Sequence, residues 1–265
     1  MTDASKPRRI TSRDNPDFRR WKKLAQSSRA RRRSDHFLLE GVHLISAWQA
    51  SFGAPEILLA SETGMSNPEI RAWLDQAGGP IVELPDALFR ELADTETPSG
   101  LLAVAARPLP ASSPAVDCDS LLLDGIQDPG NLGVLLRSAA AAGIRQILFS
   151  ADCAAAWSPK ALRAGQGAHF VTTLHEDVDL PLFLSAFQGD TLATALEGAV
   201  SLYAATWRHP VAWVMGSEGQ GIRPNVLAAC RQRLCIPMIG AVESLNVGAA
   251  AAVCLFEMVR RREGF

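Results

Sequence analysis

The sequence predicts an α/β protein of two domains, and three observations support this prediction. Short apolar runs alternate with helical patterns along all 265 residues, which is typical of α/β proteins. The stretch RPLPASSPAVD, which begins at Arg107, is rich in Pro, Ser and Ala without a periodic apolar pattern, as in a linker. The length suits two modest domains or one large one. We predict domains at 1–107 and 118–265, joined by a linker at 108–117.

In the first half, two Asn-Pro pairs mark the starts of helices. Asn15-Pro16 and Asn67-Pro68 each combine an N-cap residue with proline at the first helical position. We expect helices near 16–26 and 68–76, with strands at 36–40, 56–60, 80–84 and 100–105.

The second half opens with a buried-strand pattern, SLLLDGI, at 120–126. A QDPGN turn follows, and then a helix that is expected to start near Asn131. Apolar residues recur at helical spacing in that helix and form one face, which leaves Arg137 outside the buried stripe. Further strands are expected at 146–150, 191–195, 211–215 and 233–237, and a long helix at about 246–262.

Charge is distributed unevenly along the chain. Residues 1–40 hold 12 Lys and Arg against 5 Asp and Glu, whereas the remainder holds 14 against 23. A basic head beside an acidic body fits attraction to a polyanion such as nucleic acid. A solvated basic tail is an equally weighted alternative.

The cysteines and the N-terminus bear on the compartment. The five cysteines are odd in number and form no C-x-x-C pair, so we expect a reduced protein without a metal site. The N-terminal segment carries charge and proline where a secretory signal needs an apolar core, and no apolar run reaches membrane-spanning length. We therefore expect a cytoplasmic protein with no membrane partner.

Three motifs in the second half carry candidate chemistry, and the first is LLLDGIQDPGNLGVLLRSAAAAGI at 121–144. It predicts a strand, a Pro-Gly turn and a helix whose first turn offers free N–H groups to an anion or a ribose edge. Asn131 as a plain helix cap and Arg137 as a solvated charge form the alternative, which this segment alone favours.

The second motif, VAWVMGSEGQGI at 211–222, is an apolar strand that runs into a glycine-rich turn containing Glu218. Glycines let a ligand approach the backbone, and a carboxylate among them can bind hydroxyls or a cation. The spacing differs from the G-x-G-x-x-G of a dinucleotide site. A tight turn with an exposed Glu218 is an equally weighted alternative.

The third motif, LCIPMIGAVESLNVGAAAAVCLFEMVRRR at 234–262, predicts a strand, a loop and an Ala-rich helix. Ser244 and Asn246 lie where helix caps belong, so capping is the structural alternative. The small residues at 248–252 would let another passage of the chain, or a dimer partner, pack close to this helix.

Taken in order, D-P-G-N-x-G-x-x-x-R, G-S-E-G-x-G and I-P-M-x-G-x-x-E-S-L-N-V resemble the signatures of the SpoU (TrmH-like) RNA methyltransferase family of the SPOUT superfamily. The resemblance covers roughly residues 120–262. The head segment ITSRDNPDFRRWKKLA…FLLEGVHLI also resembles the substrate-binding domain of ribosomal members. The family likeness implies a C-terminal knotted parallel-sheet domain, an α/β trefoil knot, preceded by a small α/β ribosomal-protein-like RNA-binding domain.

The resemblance also implies the activity: a ribose 2′-O-methyltransferase that uses S-adenosylmethionine (SAM) and no metal, and acts on rRNA or tRNA. It implies a homodimer formed through the knotted domain, with the C-terminal and first-motif helices as candidate interface. By likeness, SAM would be bound by Thr194, Ala195, Leu196, Gly216, Ile236, Met238 and Leu245.

The likeness assigns the ribose-side work to Asn131, Arg137, Glu218, Ser244 and Asn246. Arg137 would contact the target phosphate and 2′-hydroxyl; as a guanidinium stays protonated, it would need help from the RNA phosphate or would stabilise the developing alkoxide. Asn131 and Glu218 would orient loop and substrate, and Ser244 and Asn246 would shape the junction with SAM. RNA contacts are expected from Arg19, Arg20, Lys22, Lys23, Arg29, Arg31, Arg32 and Arg33, with His36 and Trp21, a residue type more often found in cores, as further partners.

Three rival functions remain open at this point. A non-catalytic RNA-binding or ribosome-assembly factor would keep the fold, but the five intact ribose-side residues argue against it. A knotted enzyme that methylates a base nitrogen is disfavoured by the first-motif arginine and the S-L-N signature. A nicotinamide or nucleotide enzyme would need phosphate-loop spacings that the sequence lacks.

Overall fold

The computed structural model describes residues 7–264; the first six residues of the predicted 1–107 domain, and Phe265, lie outside the described residues. This part of the chain divides into two compact units, 7–108 with 157–163 and 109–156 with 164–264. Among the helices of residues 7–264, none has both the length and the apolar character of a bilayer span.

The first unit is built on a five-stranded sheet. Its described strands are β1 (Arg8–Arg9), β2 (His36–Glu40), β3 (Ile57–Ser61), β4 (Ile81–Leu84) and β5 (Leu101–Ala106). Its described helices are α1 (Pro16–Gln26), α2 (Ser28–Arg33), α3 (Val42–Phe52), α4 (Glu62–Ser66), α5 (Pro68–Ala77) and α6 (Asp86–Arg90). The strand order is β1-β4-β3-β5-β2, parallel among the first three and antiparallel thereafter.

Helix caps explain where α1 and α5 begin. Asn15 accepts a hydrogen bond from the Asp17 amide at 2.9 Å, and Asn67 accepts one from the Glu69 amide at 2.9 Å. Each cap is followed by proline, whose missing N–H has no partner to lose at this position. Both helix starts predicted from the Asn-Pro pairs are confirmed.

Trp21 of α1 belongs to the core of the first unit. Its side chain is fully buried, together with Phe18 and Leu24 of the same helix, against apolar side chains of the sheet such as Leu59 and Leu84. Burial of large apolar surface is the main favourable term in folding. The expectation that Trp21 serves the core is confirmed, and a role as a stacking platform for RNA is wrong.

The second unit contains a parallel sheet. Its described strands are β6 (Ser120–Asp124), β7 (Gln146–Phe149), β8 (Thr173–His175), β9 (Asp190–Thr194), β10 (Val200–Ser201), β11 (Val211–Gly216) and β12 (Gln232–Cys235). Helices α7 (Pro129–Ala141), α9 (Leu180–Ala186), α10 (Pro224–Ala228) and α11 (Val247–Glu263) belong to this unit, and α8 (Pro159–Gly165) starts in the 157–163 segment. The strand order is β10-β12-β9-β11-β6-β7-β8, and each pairing is parallel.

Two differences from the expected elements have physical reasons. Helix α7 begins at Pro129 because Asp128, not Asn131, is its N-cap: Asp128 Oδ1 accepts from the Asn131 amide at 2.9 Å. The capping alternative for Asn131 is therefore wrong. Helix α3 was not expected, since Gly41 at its start makes no side-chain capping bond and leaves no start signal in the sequence.

The parallel arrangement determines where a site can form. All strands of the second sheet run in the same direction, so their carboxyl ends share one edge. Asp124, Thr194, Gly216 and Cys235 are the last residues of four adjacent strands. Ligands of parallel α/β sheets bind at this edge.

Candidate active site

A cavity of about 570 Å³ lies at the carboxyl ends of β9, β11 and β12. Four parts of the chain line it: the end of β9, the loop after β11, Leu227 of α10, and the stretch from β12 into α11. Each of the seven residues expected to bind SAM lines the cavity, namely Thr194, Ala195, Leu196, Gly216, Ile236, Met238 and Leu245. Among the residues expected at the ribose, Glu218, Ser244 and Asn246 line it as well.

The cavity also contains charged residues that sequence reasoning missed. Arg233 of β12 lines it, together with Glu197 and Glu243. Arg233 is exposed, and its only sequence signal was a cation in the strand QRLC. These residues place charge of both signs around the apolar part of the lining.

The loop after β11 is a tight turn that only glycine at its first position permits. A Cβ at Gly216 would lie 2.2 Å from the carbonyl carbon of Gly221. Ser217 and Gly221 exchange two backbone hydrogen bonds of 3.1 and 2.8 Å. The turn is tight and Glu218 is exposed, a geometry that both interpretations of this motif share.

Glu218 is held by side chains from the other two motifs. Asn131 Nδ2 donates to Glu218 Oε1. Asn246 Nδ2 donates to the same oxygen at 3.2 Å and to Asn131 Oδ1 at 3.0 Å. We call Asn131, Glu218 and Asn246 the polar triad. The three motifs therefore meet in one hydrogen-bonded group although 115 residues separate its ends.

Asn246 also caps α11. Its Oδ1 accepts from the Gly248 amide at 2.9 Å and the Ala249 amide at 3.3 Å. The capping interpretation is right for Asn246, whereas Ser244 lies before the cap, exposed at the cavity. Because the cap engages the amide oxygen of Asn246, its amide nitrogen faces the other two members of the polar triad, Asn131 and Glu218.

Arg137 is not brought into the cavity. It is exposed on α7, and within residues 7–264 its guanidinium makes no recorded hydrogen bond or ion pair. Six residues separate it from Asn131 on that helix, which is roughly 9 Å along the axis. The structure leaves this guanidinium available to a ligand outside the cavity.

Sequence reasoning also missed a buried ion pair, Asp124 with Arg223. The Asp124 side chain is fully buried, and Arg223 Nε donates to its Oδ1 at 2.8 Å. This hydrogen bond is the main cause of a raised pKa of Arg223. A charged residue closing the apolar strand LLLD was the only sequence signal for it.

The basic side chains of α1 and α2 differ in how far they are already engaged. Arg31 Nη1 donates to the carbonyls of Leu24 at 2.9 Å and Ala25 at 2.8 Å, and burial lowers the pKa of Arg31. Its side chain therefore serves the end of α1. Other expected RNA contacts are exposed on these two helices, namely Arg19, Arg20, Lys23, Arg29, Arg32 and Arg33.

Three of the residues expected at the RNA are bound to acidic neighbours, and one of them is Arg19, which pairs with Asp14. Lys22 Nζ lies 2.5 Å from Glu91 Oε2, and His36 Nε2 lies 2.9 Å from Glu56 Oε2. In the part of the chain that the structure describes, no group of three or more His, Cys, Asp or Glu residues is arranged to hold a metal ion.

Two family models match the chain. The model of the SpoU rRNA Methylase family matches residues 120–256, and an MRM3-like substrate binding domain matches 15–103. The chain belongs to the SpoU rRNA methylase family. The family predicted from the three motifs is thus confirmed, and so is the likeness of the head segment to a substrate-binding domain.

Some relatives align over most of this chain, and others align over about half of it. The Bacillus subtilis 23S rRNA (guanosine(2553)-2′-O)-methyltransferase RlmP is 31% identical over 255 residues, which are 95% of this chain and 99% of RlmP. The Bordetella pertussis 23S rRNA (guanosine-2′-O-)-methyltransferase RlmB is 37% identical over 154 residues, 54% of this chain and 60% of RlmB.

Solved structures share the fold. A crystal structure of an RNA 2′-O ribose methyltransferase is 31% identical, with a TM-score of 0.80 over 96% of this chain and 99% of that one. The SpoU methyltransferase AviRb from Streptomyces viridochromogenes, in complex with the cofactor AdoMet, is 24% identical, with a TM-score of 0.84 over 94% of this chain and 98% of that one. The predicted α/β fold class with a parallel sheet is confirmed.

Proposed function

We propose that this protein transfers a methyl group from SAM to a ribose 2′-hydroxyl of ribosomal RNA. The reaction class is that of RNA ribose 2′-O-methyltransferases, to which the named SpoU relatives belong. The observation that carries the proposal is the polar triad beside the cavity, because it joins one residue from each of the three motifs.

The cavity fits SAM in size and in lining. Its volume of about 570 Å³ lies within the range of roughly 300–1,000 Å³ that is usual for small-molecule sites. Leu196, Ile236 and Met238 offer apolar surface to an adenine ring, while Arg233 and Glu197 match the charged ends of an amino acid. When bound, SAM supplies a methyl carbon that its sulfonium activates.

On the ribose side, the protein must orient the 2′-hydroxyl and assist the loss of its proton. Glu218 Oε1 is occupied by the two asparagine amides, whereas Oε2 accepts no recorded hydrogen bond from residues 7–264. We assign to Oε2 the binding of a substrate hydroxyl, with Ser244 shaping the junction to the cavity. Asn131 and Asn246 hold the carboxylate for this task.

Arg137 acts on the RNA backbone in this proposal. A guanidinium presents a planar set of donors that matches a phosphate. It would bind the target phosphate and stabilise the developing alkoxide. Its exposure and lack of a recorded protein partner within residues 7–264 support this role.

We assign RNA recognition to the domain at 1–107 and catalysis to the domain at 118–265, with the 108–117 segment as the linker. The exposed cations of α1 and α2 support the first assignment, since phosphate contacts dominate affinity for nucleic acid. Ribosomal RNA is favoured over tRNA because RlmP and RlmB are 23S rRNA enzymes. A cytoplasmic location follows from that substrate.

We also propose that the second unit contains the family's trefoil knot and forms a homodimer through α7 and α11. Val134 and Phe256 expose 39% and 49% of their surface on these helices, which supports an apolar interface. The space beside Gly248 is already filled, since a Cβ there would lie 2.7 Å from Val134 Cγ1. Light scattering of wild-type protein and Phe256→Asp tests the dimer: the variant should be a monomer.

The deciding experiment is transfer of labelled methyl from SAM to total RNA of a strain that lacks this protein, with modified nucleosides identified by mass. A 2′-O-methylnucleoside in rRNA is expected. A base-methylated product would overturn the ribose assignment, and a product in tRNA would overturn the substrate. RNA binding without transfer would favour an assembly factor.

A further inference from the structure

The catalytic loop between β11 and α10 is fixed to a single residue of the neighbouring strand β6. At its start, Gly216 is the register partner of Asp124 in the parallel ladder of β11 and β6. At its end, the Arg223 backbone amide donates to Asp124 Oδ2 at 2.8 Å. The six intervening residues, 217–222, include Glu218. Asp124 therefore lies beside both ends of the loop.

The side chain of Arg223 completes the attachment. Its Nε lies 2.8 Å and its Nη2 2.7 Å from Asp124 Oδ1, so the guanidinium grips one carboxylate oxygen while the backbone amide holds the other. A carboxylate with both oxygens engaged by charged and backbone donors has a single favourable orientation. Arg223 is also the N-cap residue of α10, which starts at Pro224.

Burial makes this pair differ from an ordinary surface ion pair. The Asp124 side chain has no exposed surface, although a buried carboxylate is unfavourable unless it is paired and fully hydrogen-bonded. Arg223 also reaches Asp152 with Nη1 at 3.0 Å, but the Asp152 side chain is 62% exposed. The contact of Arg223 with Asp124 is thus buried, whereas its contact with Asp152 is exposed to solvent and serves as a control.

We propose that Asp124 and Arg223 are a positioning pair for the methyl transfer: together they hold the 217–222 loop so that Glu218 meets Asn131 and Asn246. The inference rests on the proposed function. Neither residue touches substrate; each acts through Glu218. The other contacts of the 217–222 loop are its internal Ser217–Gly221 bonds, the polar triad and Ile222, which is buried in the core of the second unit.

The test compares Asp124→Asn with Asp152→Asn. An amide at 124 keeps one acceptor oxygen, so its N–H group would face either the guanidinium or the backbone amide of Arg223, and one of these two attachments would be lost. Loss of the exposed Asp152 carboxylate should change little. We expect Asp124→Asn to lower kcat by about 100-fold, the scale of a small misplacement of a reacting group. Asp152→Asn should retain wild-type kcat.

A double-substitution cycle separates positioning from a general loss of stability. In the background of Glu218→Gln, Asp124→Asn should cost far less than in the wild type, because its effect acts through Glu218. Equal losses in both backgrounds would overturn the proposal. If Asp124→Asn does not fold, Arg223→Lys replaces it in the cycle, because lysine keeps the charge but loses the planar guanidinium. Arg223→Lys should likewise cost far less in the Glu218→Gln background than in the wild type.

Amide hydrogen exchange provides a readout that needs no activity. Exchange across 217–222 should be faster in Asp124→Asn, or in Arg223→Lys, than in Asp152→Asn, and unchanged exchange would contradict the positioning role. A wild-type protein that transfers no methyl group would refute the proposed function alone. If the wild type is active but the losses of kcat from Asp124→Asn and Glu218→Gln are additive, the positioning pair alone would be refuted.

Discussion

Asn246 Nδ2 lies 3.2 Å from Glu218 Oε1 while Asn246 Oδ1 caps α11 through the Gly248 amide at 2.9 Å. One side chain therefore serves the helix with its oxygen and the candidate active site with its nitrogen. The two functions can be separated by substitution, because aspartate caps helices about as well as asparagine but offers no N–H.

We predict that Asn246→Asp keeps the stability of the protein and loses most of its activity. The introduced carboxylate retains the cap but faces Glu218 as a like charge. We expect kcat to fall by about 100-fold with Tm close to wild type. Asn246→Ala should lose the cap as well, at a cost of ~1 kcal/mol in unfolding free energy. Full activity of Asn246→Asp would remove Asn246 from the site.

Arg137→Ala should abolish methylation while SAM binding survives. The side chain lies outside the cavity lining, so calorimetric SAM affinity should equal that of the wild type. Transfer should fall by roughly 100- to 1,000-fold, the usual effect of removing one donor to a developing oxyanion. Arg137→Lys keeps the charge without the fork and should recover only part of the activity. The exposed Arg145→Ala is the matched control; equal loss of SAM affinity in Arg137→Ala would refute the role.

The family resemblance of the three motifs predicts that Asn131, Glu218 and Asn246 belong to one site, but it did not predict their mutual hydrogen bonds. In each motif a strand leads into a turn or loop, and parallel strands bring such turns to one edge. Asp124 and Arg223 could not be predicted in this way, since the family resemblance assigned neither residue to the site. Their contact depends on β11 lying beside β6, and strand order is not written in any local pattern.

Neighbouring arginines illustrate a second limit. The run SRARRR forms the basic helix α2, which was not among the helices expected from the sequence. Charge alone cannot separate Arg31, which turns back to the carbonyls of Leu24 and Ala25, from Arg33, which is exposed. The difference arises from packing of α2 against α1, which composition does not report.

That difference yields a prediction for RNA binding. Replacing Arg29 and Arg33 together by alanine should weaken RNA affinity and lower the slope of log affinity against log salt, by about 0.7–0.9 for each phosphate that the protein no longer neutralises. Tm should not change. Arg31→Ala should instead lower Tm, because two carbonyls at the end of α1 lose their cationic donor. An unchanged salt slope in the double variant would mean that α2 is only a solvated surface.

Glu257 should make stability depend on pH in the acidic range. Hydrogen bonds from Arg260, and then from Arg261, lower the pKa of this carboxyl from 4.5 to about 2. A depressed pKa in the folded state means that the stabilisation is complete above pH 4.5 and is lost as pH falls towards 2. Arg261 in turn donates to the Leu202 carbonyl at 2.8 Å. Glu257 therefore also orients the Arg261 side chain, which links Leu202 to α11.

We therefore predict that Glu257→Gln lowers the unfolding free energy at pH 7, and that the gap to the wild type narrows between pH 4.5 and pH 2. Urea titrations at several pH values measure the difference in unfolding free energy between the two proteins. The other carboxylates occur in both proteins, so their contributions cancel in this difference. Glu263→Gln, which removes an exposed carboxylate near the end of the same helix, should stay close to the wild type throughout. A gap that is constant from pH 7 to pH 2.5 would show that Glu257 stabilises the helix by packing rather than by its charge.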